Sequence, residues 1–97
     1  MNKIQLNHMN DNSASQLENL YTYLGRNIRI KIKDGRIIEG EFQCLDKNMN
    51  FILGSATEYH GAQDIDFTID KTNFRLLGTV MVPGQHILSC HIESINV

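Results

Sequence analysis

The clearest pattern in this chain is a change of hydrophobic period near Gly25. Before it, Leu17, Leu20, Tyr21 and Leu24 fall at i, i+3, i+4 and i+7, which lines them along one helical face. Ser15 stands three residues ahead of Glu18. At that spacing the serine oxygen can accept a free backbone N–H while the glutamate reaches back to the cap. A helix is predicted from about Ser15, with Gly25 as its C-terminal stop. After Gly25 the period is two. Ile28, Ile30 and Ile32 alternate with Arg29, Lys31 and Lys33, the pattern of a half-buried strand. Asp34-Gly35 then supplies a tight hairpin turn.

A second strand is predicted over about 36–45, with Ile38, Gly40, Phe42 and Cys44 on one face. Gly40 inside it points to a bend or a close backbone approach. Asp46, Lys47 and Asn48 read as a turn, followed by a short third strand over about 50–53. Residues 55–73 read as a long polar connection carrying Glu58, Asp64, Asp66 and Asp70. A fourth strand is predicted over about 74–82. Pro83-Gly84 punctuates the chain, because proline presets φ and glycine accepts a positive φ. In the last strand Leu88, Cys90 and Ile92 alternate with Ser89, His91 and Glu93. One helix and five short strands in sequence predict a mainly β fold. The expected form is a strongly bent five-stranded antiparallel sheet, or small open barrel, with the helix covering one end. Residues 1–14 are polar and read as a mobile arm; 15–97 form the domain.

Composition narrows the function. Ninety-seven residues suit one domain, and a chain of this size buries only roughly 60–65% of its unfolded surface, so a stabilising partner is plausible. The formal net charge of -2 lacks the basic excess that phosphate contacts demand of a free-standing nucleic-acid binder. The apolar runs are far shorter than the roughly 20 residues that span a bilayer, so no membrane association is expected. Met1 to Asn12 has no apolar leader core. Cys44 and Cys90 are the only cysteines, expected as a reduced pair in the core of a cytoplasmic protein.

Candidate chemistry is sparse. His86, Cys90 and His91 with Cys44 suggest a metal site, but successive strand residues point to opposite faces, so Cys90 and His91 do not converge; no metal is expected. No nucleophile–base–orienter set and no glycine-rich loop ahead of a helix occurs, so neither catalytic nor cofactor-binding residues are assigned. Arg26, Arg29, Lys31, Lys33 and Arg36 make a basic stripe with Asp34 as its only acid. Strand alternation accounts for three of the five as a solvent face; a footprint for RNA or an acidic partner is the sharper reading.

Gly35, Gly40, Phe42, Asp46, Met49 and Asn50, with aliphatics between them, match the first Sm signature, and Asp-x-x-Met-Asn at 46–50 is its most specific part. Val82-Pro83-Gly84-Gln85-His86-Ile87 matches the second signature at Gly84 and its aliphatics, but not at the arginine that precedes the glycine. Over about 15–97 the chain resembles the Sm and LSm family, with Gly35, Gly40, Asp46, Met49, Asn50 and Gly84 as its structural signature positions. That resemblance implies an Sm-like fold and usually a ring that binds uridine-rich RNA. Each base there meets three side chains, whose positions here are Asn50, Asn48 and Pro83. Stacking needs a planar side chain and pairing a guanidinium, so two of the three roles are vacant and RNA binding is not expected.

Two narrower stretches point within the family. Leu53-Gly54-Ser55-Ala56-x-Glu58-Tyr59 and Leu77-Gly78 with Met81-Val82-Pro83-Gly84-x-His86-Ile87 are similar to the Sm-like auxiliary subunits of N-terminal acetyltransferase C (NatC) complexes. The resemblance implies a non-catalytic subunit that binds a large scaffold chain beside a catalytic acetyltransferase chain, with acetyl-CoA on the latter and the ribosome nearby. The substrates would be nascent chains beginning with methionine and a hydrophobic residue. By analogy with ring contacts, Thr79, Val80, Met81, Val82, Ile87, Leu88, Ser89, Cys90 and His91 are expected at the partner interface. An LSm-ring component that binds uridine-rich RNA is the alternative.

Overall fold

The computed structural model describes residues 2–4, 20–60 and 73–92. Six antiparallel strands form a single sheet: β1 (Asn2–Ile4), β2 (Asn27–Ile32), β3 (Ile37–Leu45), β4 (Asn50–Tyr59), β5 (Phe74–Pro83) and β6 (Ile87–Ile92). Their order across the sheet is β1-β6-β2-β3-β4-β5. The five strands expected from periodicity are present, and a sixth, three-residue strand joins from the arm. The predicted start of the helix at Ser15 lies outside the described residues. Its end is visible, with Leu20 and Tyr21 helical and Leu20 buried. Gly25 takes φ +86, and its N–H donates to Phe42 O at 2.7 Å, which ties the helix exit to β3.

Alternation drives the burial. Ile28, Ile30 and Ile32 of β2 turn inward and join Ile38, Phe42, Phe51, Leu53, Val82, Cys90 and Ile92 in one core. Each such aliphatic side chain contributes roughly 1.5–3 kcal/mol by leaving water. Phe42 and Phe51 stack with centroids 5.3 Å apart at 29°. At the β2–β3 turn Gly35 N–H donates to Ile32 O, and Ile32 N–H to Arg36 O. Gly35 alone of the Asp34-Gly35 pair takes the positive φ, +97.

Four expectations are corrected, and bulges explain two of them. The pairing shifts between Phe42 and Cys44, so β3 reverses its faces: Leu45 turns inward and Cys44 outward. Cys44 and Cys90 are therefore not a core pair. The pairing of β2 with β6 shifts between Lys31 and Ile32, which buries Ile87 and leaves Leu88 outside, 44% exposed. The third correction concerns length. The supposed connection after Leu53 is strand as far as Tyr59, with Ser55 at φ +49 at a further shift. Ser55, Thr57, Glu58 and Tyr59 carry polar groups, but Thr57 to Tyr59 pair on both sides, with β3 and with β5. Gly84 is not in a positive-φ turn either; it is buried at the start of a 3-10 turn spanning Gly84–His86.

Candidate interaction edge and the vacant base site

The sheet bends tightly enough for backbones to touch. A Cβ built on Gly40 would lie 2.9 Å from Gly54 O and 3.1 Å from Ala56 Cα. Only glycine lets the β3 backbone lie this close to β4.

Beneath the start of β5 sits a charged cluster that periodicity did not reveal. Glu58, read from the sequence as part of a polar loop, is on β4 and 0% exposed. Its Oε1 accepts from Arg36 Nη1 at 2.6 Å. Its Oε2 lies 2.9 Å from His60 Nε2 and 3.1 Å from Arg75 Nη2, as charge contacts rather than aligned hydrogen bonds. Burial pushes the carboxyl's pKa up. The Arg36 hydrogen bond and the charges of Arg75, Arg36 and His60 more than offset that and hold it below the ordinary value. Arg36 also donates Nε to Asp34 Oδ2 at 2.7 Å, so one guanidinium joins the β2–β3 turn to β4. The cluster floors an open cleft of about 210 Å³ whose wall includes Leu77, Val80, Met81 and Pro83.

The same pairs settle how the basic stripe is used. Arg29 bonds Glu39 across the β2–β3 ladder, Arg36 is held by Asp34 and Glu58, and Arg26 lies over the Tyr23 ring at 5.4 Å. These three cations have local partners, as expected of an amphipathic strand face.

The loop 46–50 is organised by Asp46. Its Oδ1 accepts the N–H of Asn48 at 2.8 Å and of Asn50 at 2.9 Å, and its Oδ2 accepts Asn50 Nδ2 at 2.9 Å. These donors, Asn50's backbone amide first, lower the Asp46 pKa. Met49 takes φ +63 and buries its side chain. Asn50 stands opposite Pro83 in the β4–β5 register, so the structure brings together two of the positions that the Sm resemblance links to a base site. What they carry differs. Asn50 has an amide donor engaged by Asp46, Asn48 is a small exposed amide, and Pro83 has no side-chain donor.

The family model of the LSM domain matches residues 18–92, and with this both Sm signatures fall within one matched span. The chain belongs to the LSM domain family. Among curated proteins, this LSM-domain chain is 42% identical over 86 residues to "N-alpha-acetyltransferase 38, NatC auxiliary subunit" of Drosophila melanogaster, covering 88% of the chain and 64% of that protein. It is 45% identical over 83 residues to "N-alpha-acetyltransferase 38-B, NatC auxiliary subunit" of Xenopus laevis, covering 86% and 69%. The LSM-domain chain thus spans about two thirds of the length of these relatives. Among solved structures, a chain in "Crystal structure of the NatC complex bound to CoA" superimposes with a TM-score of 0.62 at 23% identity, over 76% of this chain and 83% of that one. That likeness is one of fold.

In this LSM domain β5 is the long open edge: among the described residues it has a strand on one side only, as does the three-residue β1 at the other end of the sheet. Phe74, Leu76 and Met81 project from it, Leu76 75% and Met81 58% exposed. Of the expected interface residues, Thr79 and Met81 are exposed and Val80 half-buried, whereas Val82, Ile87 and Cys90 place their side chains in the core. Ser89 and His91 are buried, and Leu88 is exposed. A ten-residue strand paired on one side only, with apolar side chains beside its outer edge, is what strand addition requires. Among the described residues no group of three His, Cys, Asp or Glu side chains is placed to share a metal ion, and no helix is long and apolar enough to cross a membrane.

Proposed function

We propose that this chain is the auxiliary subunit of a NatC N-terminal acetyltransferase complex, acting in the cytoplasm as a binding module without catalysis of its own. The observation that carries the reading is the 42–45% identity, across more than four fifths of the chain, to proteins named NatC auxiliary subunit. The geometry favours it over RNA binding, since the base site lacks its stacking and guanidinium groups while β5 offers a long apolar edge. In this reading the domain of residues 15–97 docks on a large scaffold chain next to the catalytic acetyltransferase chain, which holds acetyl-CoA. The complex acetylates nascent chains that begin with methionine and a hydrophobic residue.

Thr79 to Val82 on β5 form the first half of the proposed interface. Ile87 to His91 on β6 form the second, available where β1 gives way. Side chains already in the core, such as Val82 and Cys90, would contribute through their main chain.

Affinity capture of the chain from its native cytosol tests this directly. The expected result is an acetyltransferase chain and a large scaffold chain in equal amounts. Met81→Asp should lose both, because burying an unpaired carboxylate costs several kcal/mol and each 1.4 kcal/mol is tenfold in affinity. Recovery of six other Sm-like chains with RNA would make this a ring subunit instead.

A further inference from the structure

The sheet does not end on β6. Asn2, Lys3 and Ile4 pair antiparallel with Ile92, His91 and Cys90 respectively, while the far side of the same β6 residues pairs with β2. Without β1, β6 would be an open edge at one end of the sheet and β5 an open edge at the other. One bent sheet with two free edges is complementary to itself: β5 of one copy can add to β6 of the next. Such a contact is head to tail and repeats into rings or filaments.

We propose that β1 is a built-in plug for the β6 edge, which keeps the chain from adding to further copies of itself and leaves β5 as the long open edge. The register supports this, because β1 lies on the same main-chain groups, Cys90 to Ile92, that an incoming strand would need. The residues that form β1 also suit the task. It covers three of the six β6 residues, Cys90 to Ile92, and presents a three-residue edge in their place, and very short edge strands are poor templates for further pairing.

Tethering decides the competition. A segment of the same chain meets β6 at an effective concentration on the order of millimolar, so at roughly 10 μM protein it outcompetes a second copy of equal intrinsic affinity about 100-fold. A partner whose affinity for β6 exceeds that of a second copy by more than this factor still displaces the plug. The inference rests on the strand order alone and holds whether or not the partner is an acetyltransferase scaffold.

Two variants test it: deletion of residues 1–6, and the full-length Lys3→Pro/Ile4→Pro double variant. Backbone amides alternate in direction along a strand, so one of the two prolines removes a donor aimed at β6. Sedimentation velocity should show the unmodified chain as a single-copy species across roughly 10–200 μM, well below the millimolar effective concentration. Both variants should form species whose mass rises with concentration. A synthetic peptide of residues 1–6, added at about millimolar concentration to match that effective value, should dissociate them. Folded variants that stay monomeric overturn the proposal, as does an unmodified chain that assembles just as readily. Variants that fail to fold overturn it too, because β1 would then be part of the fold rather than a plug.

Discussion

Replacing Arg36 by methionine probes Glu58, the one fully buried carboxylate among the described residues. The substitution removes the 2.6 Å hydrogen bond to Glu58 Oε1 and leaves Arg75 and His60 beside Oε2. Breaking a buried ion pair from one side typically costs about 3–5 kcal/mol, because the remaining charge stays desolvated. The cost here is smaller. Arg36 is about two-fifths exposed, so solvent already weakens its pull, and the Arg75 guanidinium still lies beside the carboxylate. About 2 kcal/mol at pH 7 remains, a drop of roughly 10 °C in Tm for a domain of this size.

The pH dependence separates this cause from simple loss of packing. In the unmodified protein the Glu58 pKa lies below 4.5, so its contribution is present above pH 4.5 and lost as pH falls through the folded value. In Arg36→Met, burial loses its main counterweight and the pKa moves up. The folded state then takes up the proton more readily than the unfolded one, and stability falls as pH rises through the new value. The deficit relative to the unmodified chain should therefore shrink steadily from pH 7 towards pH 4. Urea titrations across that range read it. A deficit of equal size at both ends, or one below about 0.5 kcal/mol, the range of ordinary surface changes, would refute the electrostatic account.

Gly40→Ala should destabilise by about 1–3 kcal/mol, because its Cβ meets the β4 backbone. Gly54→Ala meets only the exposed Gln43 amide and should stay within about 0.5 kcal/mol; paired melting curves compare them. Cys44 should react with a maleimide in the folded protein, whereas Cys90, buried and with its thiol pKa pushed up to about 12, should react only on unfolding, as mass spectrometry can count. Asn48→His with Pro83→Arg should leave binding to oligouridine no stronger than to oligoadenosine, since Asn50 remains engaged by Asp46. Fluorescence anisotropy at fixed salt checks this, and uridine-selective binding by the unmodified chain would count against the proposed function.

How much was legible depended on whether a residue's role is local. The switch from helical to alternating period, the turn at Gly35 and the run of β2 isoleucines follow from near-neighbour chemistry, and β2, β3, β5 and β6 form where the pattern places them. The Asp46–Asn50 loop was legible for the same reason: a carboxylate that bonds amides two and four residues on is a short-range device. Bulges were not legible. A bulge is a property of two paired strands, and a single inserted residue reverses every side chain beyond it. Hence Cys44 and Leu88 face out where alternation put them in. Glu58 was hidden because its partners lie 22 positions before it and 17 after it, and only the β3–β4–β5 register brings them together. Sequence alone thus determined the mainly β fold, most turns and the family. The tertiary structure decided which polar residues are buried and which edge is open, because pairing between distant strands sets both.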